Sequence, residues 1–175
     1  MGPFAFRPDA AASEIHTLGT KLSAAIGTLR KVEDVTYGVT EREEIWRDGK
    51  VALYRFRGER PPTAKVPLLI VYALVNRPYM VDLQEDRSIV RNLLSQGEDV
   101  YLIDWGYPDR SDRYVTLDDY INEWIRRCVQ VVARRHRVPK INLLGICQGG
   151  AFSLCYAAIH PQTVQNLVTM VTPVD

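Results

Sequence analysis

Lys140-Ile141-Asn142-Leu143-Leu144-Gly145-Ile146-Cys147-Gln148-Gly149-Gly150 is the stretch on which the reading of this chain turns. Lys140 to Leu144 has the length and branched-chain content of a buried strand, and Ala151 to His160 reads as a helix. The chain must therefore swing from strand to helix within a few residues of Cys147. Glycine on both flanks, at Gly145 and Gly149, lets backbone segments approach more closely than a Cβ permits, as a strained turn that presents a nucleophile requires. At its apex stands a thiol, a group that attacks carbonyl carbon. The helix that begins at Gln148 aims its positive end and its free N–H groups at that thiol. The plainer alternative is a buried, inert cysteine in a glycine-rich turn.

Outward from this turn the chain alternates. Leu68 to Ala73 and Asp99 to Asp104 are continuous apolar runs that read as strands buried on two faces. Between them, Ile89, Val90, Leu93 and Leu94 predict a helix over 87–95, stopped by Gly97. A polar loop, 106–115, leads to the clearest helix. Thr116 caps it with Asp119 three residues on, and Leu117, Tyr120, Ile121, Trp124, Ile125, Cys128, Val129 and Val132 form one stripe, with Pro139 as the stop. A last strand is predicted over 166–171. Such alternation argues for a parallel sheet with right-handed crossovers and helices on both faces. Ahead of it, Glu43 to Arg47 and Val51 to Phe56 flank Asp48-Gly49, a strong hairpin signal. Further upstream Ile15, Leu18, Leu22, Ile26 and Leu29 predict an amphipathic helix, weakened by Gly19 and Gly27. The expected architecture is the opening half of an α/β-hydrolase sheet. Residues 1–35 form a helical segment, and 36–175 form the amino-terminal part of the catalytic domain, truncated before its acid and histidine.

The bulk numbers bound the function. At 175 residues the chain has the size of one domain or part of one, and its formal charge of +1 advertises no nucleic acid and no anionic membrane. The longest apolar run, Pro67 to Val75, is far short of the roughly 18 residues that span a bilayer, so no transmembrane segment is expected. The amino terminus lacks the apolar core of a signal peptide, and three cysteines without paired spacing suit a reducing cytosol. No metal and no cofactor are expected.

A tetrahedral oxyanion on a substrate held at Cys147 needs two preorganised donors. The fold supplies them from the residue after the nucleophile and from the loop leaving the third strand, here the backbone N–H groups of Gln148 and Val75. The base is harder to find among the three histidines. His160 lies at the far end of the helix that starts beside Cys147, about 18 Å away at 1.5 Å per residue. His136 belongs at the opposite sheet edge, about 20 Å away at 3.3 Å per residue. His16 precedes the sheet and cannot be placed. Asp175 is a candidate acid at the end of a predicted strand.

Several blocks together carry a resemblance: Val66 to Met80 (VPLLIVYALVNRPYM), Asp99 to Pro108 (DVYLIDWGYP), Leu117 to Ile121 (LDDYI), Leu144 to Gly150 (LGICQGG) and Asn166 to Asp175 (NLVTMVTPVD). They closely resemble polyhydroxyalkanoate synthases, the class III catalytic subunit above all. The resemblance implies polymerisation of (R)-3-hydroxyacyl-coenzyme A, commonly the 3-hydroxybutyryl thioester, with release of coenzyme A. Cys147 falls on the family's nucleophile and would carry the growing chain as a thioester. The resemblance also implies an oligomer, a non-catalytic second subunit (PhaE), and work at the surface of a cytoplasmic polymer granule. In such enzymes the activating histidine and assisting aspartate lie in a carboxyl-terminal half that these residues do not include, so the chain alone is expected to be inactive.

Two other readings stay open. A dienelactone-hydrolase-like enzyme also places cysteine in a Gly-x-Cys-x-Gly-Gly turn, but would open a lactone and ignore the thioester. A non-catalytic fragment that binds a partner would expose an unpaired sheet edge and associate.

Overall fold

The computed structural model describes residues 14, 16–26 and 38–174. The chain divides into two compact units, Met1–Thr36 and Tyr37–Asp175. Within the first, 16–26 form helix α1, whose side chains, Leu18, Leu22 and Ile26 among them, are exposed. Ile15, Gly27 and Leu29 lie outside the described residues.

The second unit is built on a six-stranded sheet in the order β1-β2-β6-β3-β7-β8. Strands β1 (Arg42–Asp48) and β2 (Val51–Phe56) form the expected hairpin, but Asp48 pairs with Val51. The turn residues are therefore Gly49 and Lys50, one position later than the Asp48-Gly49 signal suggested. Gly49 takes the positive φ of 55° that the first turn position needs. Strands β3 (Leu68–Val71), β6 (Val100–Asp104), β7 (Ile141–Ile146) and β8 (Val164–Met170) are parallel to their neighbours, while β2 joins β6 antiparallel. A small hairpin that the sequence reading missed, β4 (Asp82–Gln84) with β5 (Arg87–Ser88), intervenes after β3.

Helices cover both faces because the central strands are apolar on both. Leu69, Val71, Tyr101, Ile103, Ile141 and Leu143 face α3 (Arg126–His136) and α4 (Gln148–Ile159). The alternate residues Leu68, Ile70, Val100, Leu102, Leu144 and Ile146 face α2 (Ile89–Ser95). This period of two, apolar on each side, is what a strand buried between helix layers requires. Ser88 starts α2 by accepting the Arg91 N–H at 2.9 Å, and Gly97, at φ 88°, follows its end. Ahead of α3, Thr116 and Asp119 form the expected cap, with the Thr116 N–H donating to Asp119 at 2.6 Å. The next turns, Asp119–Ile125, are π-helical, which apolar spacing does not reveal. They carry Tyr120 to a stacked contact with Phe152 of α4 at 5.7 Å. Ile121, Ile125, Cys128, Val129 and Val132 of the predicted stripe are buried, while Leu117 is exposed. The stop is the left-handed Arg137 (φ 55°), two residues ahead of Pro139. At the sheet's edge β8 is largely exposed.

Candidate active site

Cys147 occupies the one residue between β7 and α4, at φ 55° and ψ −128°. A non-glycine residue there costs about 1–3 kcal/mol and persists only when its surroundings hold it. Its N–H donates to the Met170 carbonyl at the end of β8, and its own carbonyl accepts from Gly150 N–H, both at 2.9 Å. A Cβ on Gly145 would stand 2.5 Å from Gly150 Cα and 2.8 Å from Ser153 Oγ; a Cβ on Gly149 would stand 2.6 Å from the Val71 carbonyl carbon. Both glycines are thus required by contact between the first turn of α4 and the strands beneath it. The buried Ser153 adds a lock by donating to the Gly149 carbonyl at 2.8 Å. Cys147 itself is partly exposed at the carboxyl edge of the sheet.

Opposite α4, the loop leaving β3 is tethered by hydrogen bonds. Trp105 Nε1 donates to the Tyr72 carbonyl at 3.0 Å, the Leu74 N–H donates to Gln148 Oε1 at 3.2 Å, and Arg77 donates to the Gly106 carbonyl at 3.2 Å. Val75, the next residue, is exposed (86 %). Gln148, the first residue of α4, thereby meets this loop through its side chain, a contact the sequence reading did not foresee.

The remaining thiols and imidazoles have other settings. Cys128 is fully buried, which pushes its thiol far above the ordinary range, and Cys155 is exposed on α4. His136 shares a hydrogen bond with Tyr101 Oη at 2.8 Å and sits 3.4 Å from Asp99, which also holds Arg55 at 2.7 and 2.8 Å. Asp99 immediately precedes β6, so this cluster lies at the amino edge, the side of the sheet away from Cys147. Burial lowers the His136 pKa and raises that of Tyr101 to about 12. His160 follows α4 and pairs with Asn122 at 2.8 Å. Neither histidine of the second unit adjoins the thiol; His16 belongs to the first unit, and Asp175 lies outside the described residues. Among the described residues no cluster of three or more His, Cys, Asp or Glu is placed to hold a metal ion, and no helix is long and apolar enough to cross a membrane.

Comparison with known proteins agrees with this architecture. The family model for the alpha/beta hydrolase fold matches residues 66–175. Solved structures similar in fold include a CIB-like hydrolase from Thermoplasma acidophilum (TM-score 0.53, 15 % identity, 77 % of this chain and 63 % of that one). Another is the Francisella virulence factor BioJ (TM-score 0.59, 11 % identity, 89 % and 51 %). By sequence, the chain is 56 % identical to the poly(3-hydroxyalkanoate) polymerase subunit PhaC of Allochromatium vinosum and 53 % identical to that of Thiocystis violacea. Each match takes in 100 % of this chain and 50 % of the relative, so the chain spans about half the length of these relatives. The PhaC of Cupriavidus necator is 31 % identical over 94 % of the chain and 32 % of its own length. The chain belongs to the alpha/beta hydrolase fold family, and within it is similar along its whole length to poly(3-hydroxyalkanoate) polymerase subunits.

Proposed function

We propose that this chain is the nucleophile-bearing part of an acyltransferase that polymerises (R)-3-hydroxyacyl-coenzyme A, with 3-hydroxybutyryl-coenzyme A as its substrate. The Cys147 sulfur attacks the thioester carbonyl carbon while the thiol proton passes to a base. The carbon–sulfur bond to coenzyme A then breaks, coenzyme A leaves as its thiol, and the acyl group remains on Cys147. The developing oxyanion is held by the N–H groups of Gln148 and Val75, donors fixed before reaction begins. Attack by the hydroxyl of a second acyl unit lengthens the polyester. The acid and histidine that move these protons come, in this reading, from sequence corresponding to the rest of the relatives' length; the chain alone loses its thiol proton to buffer and takes up an acyl group without turning over. The whole enzyme works as an oligomer with the non-catalytic class III subunit, PhaE, at the surface of a cytoplasmic polymer granule.

The observation that carries this reading is a cysteine at φ 55° at the start of α4, facing a tethered loop, in a chain similar throughout to polymerase subunits. The test joins the chain to the remaining half of the Allochromatium vinosum relative and follows release of coenzyme A from (R)-3-hydroxybutyryl-coenzyme A. Sustained release, abolished by Cys147→Ala, is expected. Opening of a dienelactone without release of coenzyme A would replace the polymerase with a hydrolase.

A further inference from the structure

We infer that the side chain of Gln148 is a positioning residue that sets the second oxyanion donor, a role separate from that of its backbone N–H. The inference rests on the acyl-transfer reading above and names the part of the site that makes it work. Three observations carry it. Residues 74–76 lie outside any strand or helix, and Val75 is 86 % exposed, so the loop depends on its neighbours, the Leu74 side chain packed on the core and Asn76 hydrogen-bonded to the Tyr72 side chain, for its place. The Leu74 N–H, one residue earlier, donates to Gln148 Oε1 at 3.2 Å, across 74 residues of sequence. Finally, Gly149 seats the first turn of α4 directly on the Val71 and Tyr72 carbonyls, so the base of the Gln148 side chain is itself anchored to β3.

These contacts divide the work between two neighbouring peptides. The Leu74 N–H is occupied by the glutamine and is not available to an oxyanion. Its occupation fixes the plane of the Ala73–Leu74 peptide, and because the Leu74 side chain is itself packed against the core, rotation about Leu74 is limited and the following N–H, that of Val75, is directed as well. One residue thus serves both donors: its backbone is the first, and its carboxamide oxygen orients the second. Trp105, through the Tyr72 carbonyl, and Arg77, through the Gly106 carbonyl, hold the loop two residues to either side of Leu74 or farther. Neither bonds to Leu74.

The test separates an oxyanion-dependent reaction of Cys147 from one that forms no oxyanion. With p-nitrophenyl butyrate, sulfur attacks the carbonyl carbon, nitrophenolate leaves as its carbon–oxygen bond breaks, and the thiol proton is released to buffer. With iodoacetamide, sulfur displaces iodide directly. Both rates are read at Cys147 by peptide mass spectrometry in the 175-residue chain and in Gln148→Met, which keeps the reach but not the amide acceptor. The expected result is acylation slower by about 10- to 100-fold, the scale set by a misplaced reacting group or a lost donor, with alkylation unchanged. Amide exchange at Leu74 should be faster in Gln148→Met and remain slow in Gln148→Glu, which retains an acceptor of equal reach. Equal acylation of wild type and Gln148→Met overturns the inference alone. So does parallel loss of both reactions, which marks a merely structural residue. A wild-type thiol that is alkylated but never acylated overturns the inference together with the acyl-transfer reading on which it rests.

Discussion

Replacing Gly149 with alanine tests whether the turn at Cys147 is built by contact between α4 and β3. The added Cβ would lie 2.6 Å from the Val71 carbonyl carbon and 2.7 Å from the Tyr72 oxygen, and closer still to the Val71 oxygen, where ordinary contact begins at 3.4 Å. Clearing the carbon alone demands a separation of about 0.8 Å. The obstructing atoms are backbone, and Val71 and its neighbours in β3 are buried between two helix layers, so no side-chain rotation relieves them. Overpacking of this kind costs typically 1–3 kcal/mol, and a site walled by a central strand belongs at the upper end, about 3 kcal/mol. With a urea m-value near 2 kcal/mol/M, the unfolding midpoint should fall by about 1.5 M. The control is Gly19→Ala in α1, where a Cβ meets nothing within 4 Å; it should stabilise that helix by up to about 1 kcal/mol through propensity alone. The assay is urea unfolding followed by far-ultraviolet circular dichroism for all three proteins. A Gly149→Ala midpoint equal to that of wild type would refute the contact argument, because the helix start would then have room that the geometry denies.

Three further outcomes are expected. Burial lowers the pKa of His136 from its ordinary 6.5 despite the opposing pull of Asp99, with Arg55 and Arg135 adding to the fall. The unfolded chain therefore binds the proton first: stability is full above about pH 6.5 and declines as pH drops below it, and His136→Gln, measured by urea midpoints at pH 7.5 and 5.5, should flatten that decline. Strand β8 is an edge without lysine or proline, with Val168 and Met170 exposed. Size-exclusion chromatography should show concentration-dependent association that Val168→Lys reduces; a monomer at every concentration would contradict this. Brief iodoacetamide treatment should label Cys147 ahead of the more exposed Cys155, since Cys147 stands at a helix start, and leave buried Cys128 unlabelled; equal labelling of all three would remove the electrostatic argument.

The strands that position the thiol were readable because each is a short apolar run between turn residues, and the glycines around Cys147 named the turn. Where several conformations share one pattern, reading fell short. Apolar spacing over 117–132 did not distinguish α-helical from π-helical turns, and the π-helical ones carry Tyr120 onto Phe152, a contact made across the fold. The β4–β5 hairpin is only three and two residues per strand, too short for any period, and is held instead by buried Asp82, which accepts from Thr40 and Ser88. At the hairpin of β1 and β2, Asp48-Gly49 marked the place but not the register, which the pairing of Asp48 with Val51 decides. Gln148 illustrates the same limit at the site. Its position beside the nucleophile follows from sequence, whereas its partner, 74 residues away, exists only after β3 and β7 have paired.

The central claim is that Cys147 is the acyl acceptor. Its most direct test is mass spectrometry of the chain after brief exposure to (R)-3-hydroxybutyryl-coenzyme A. One hydroxybutyryl group is expected, on the peptide containing Cys147 and absent from Cys147→Ala. An acyl group found instead on exposed Cys155, or none on a chain whose Cys147 still reacts with iodoacetamide, would contradict it.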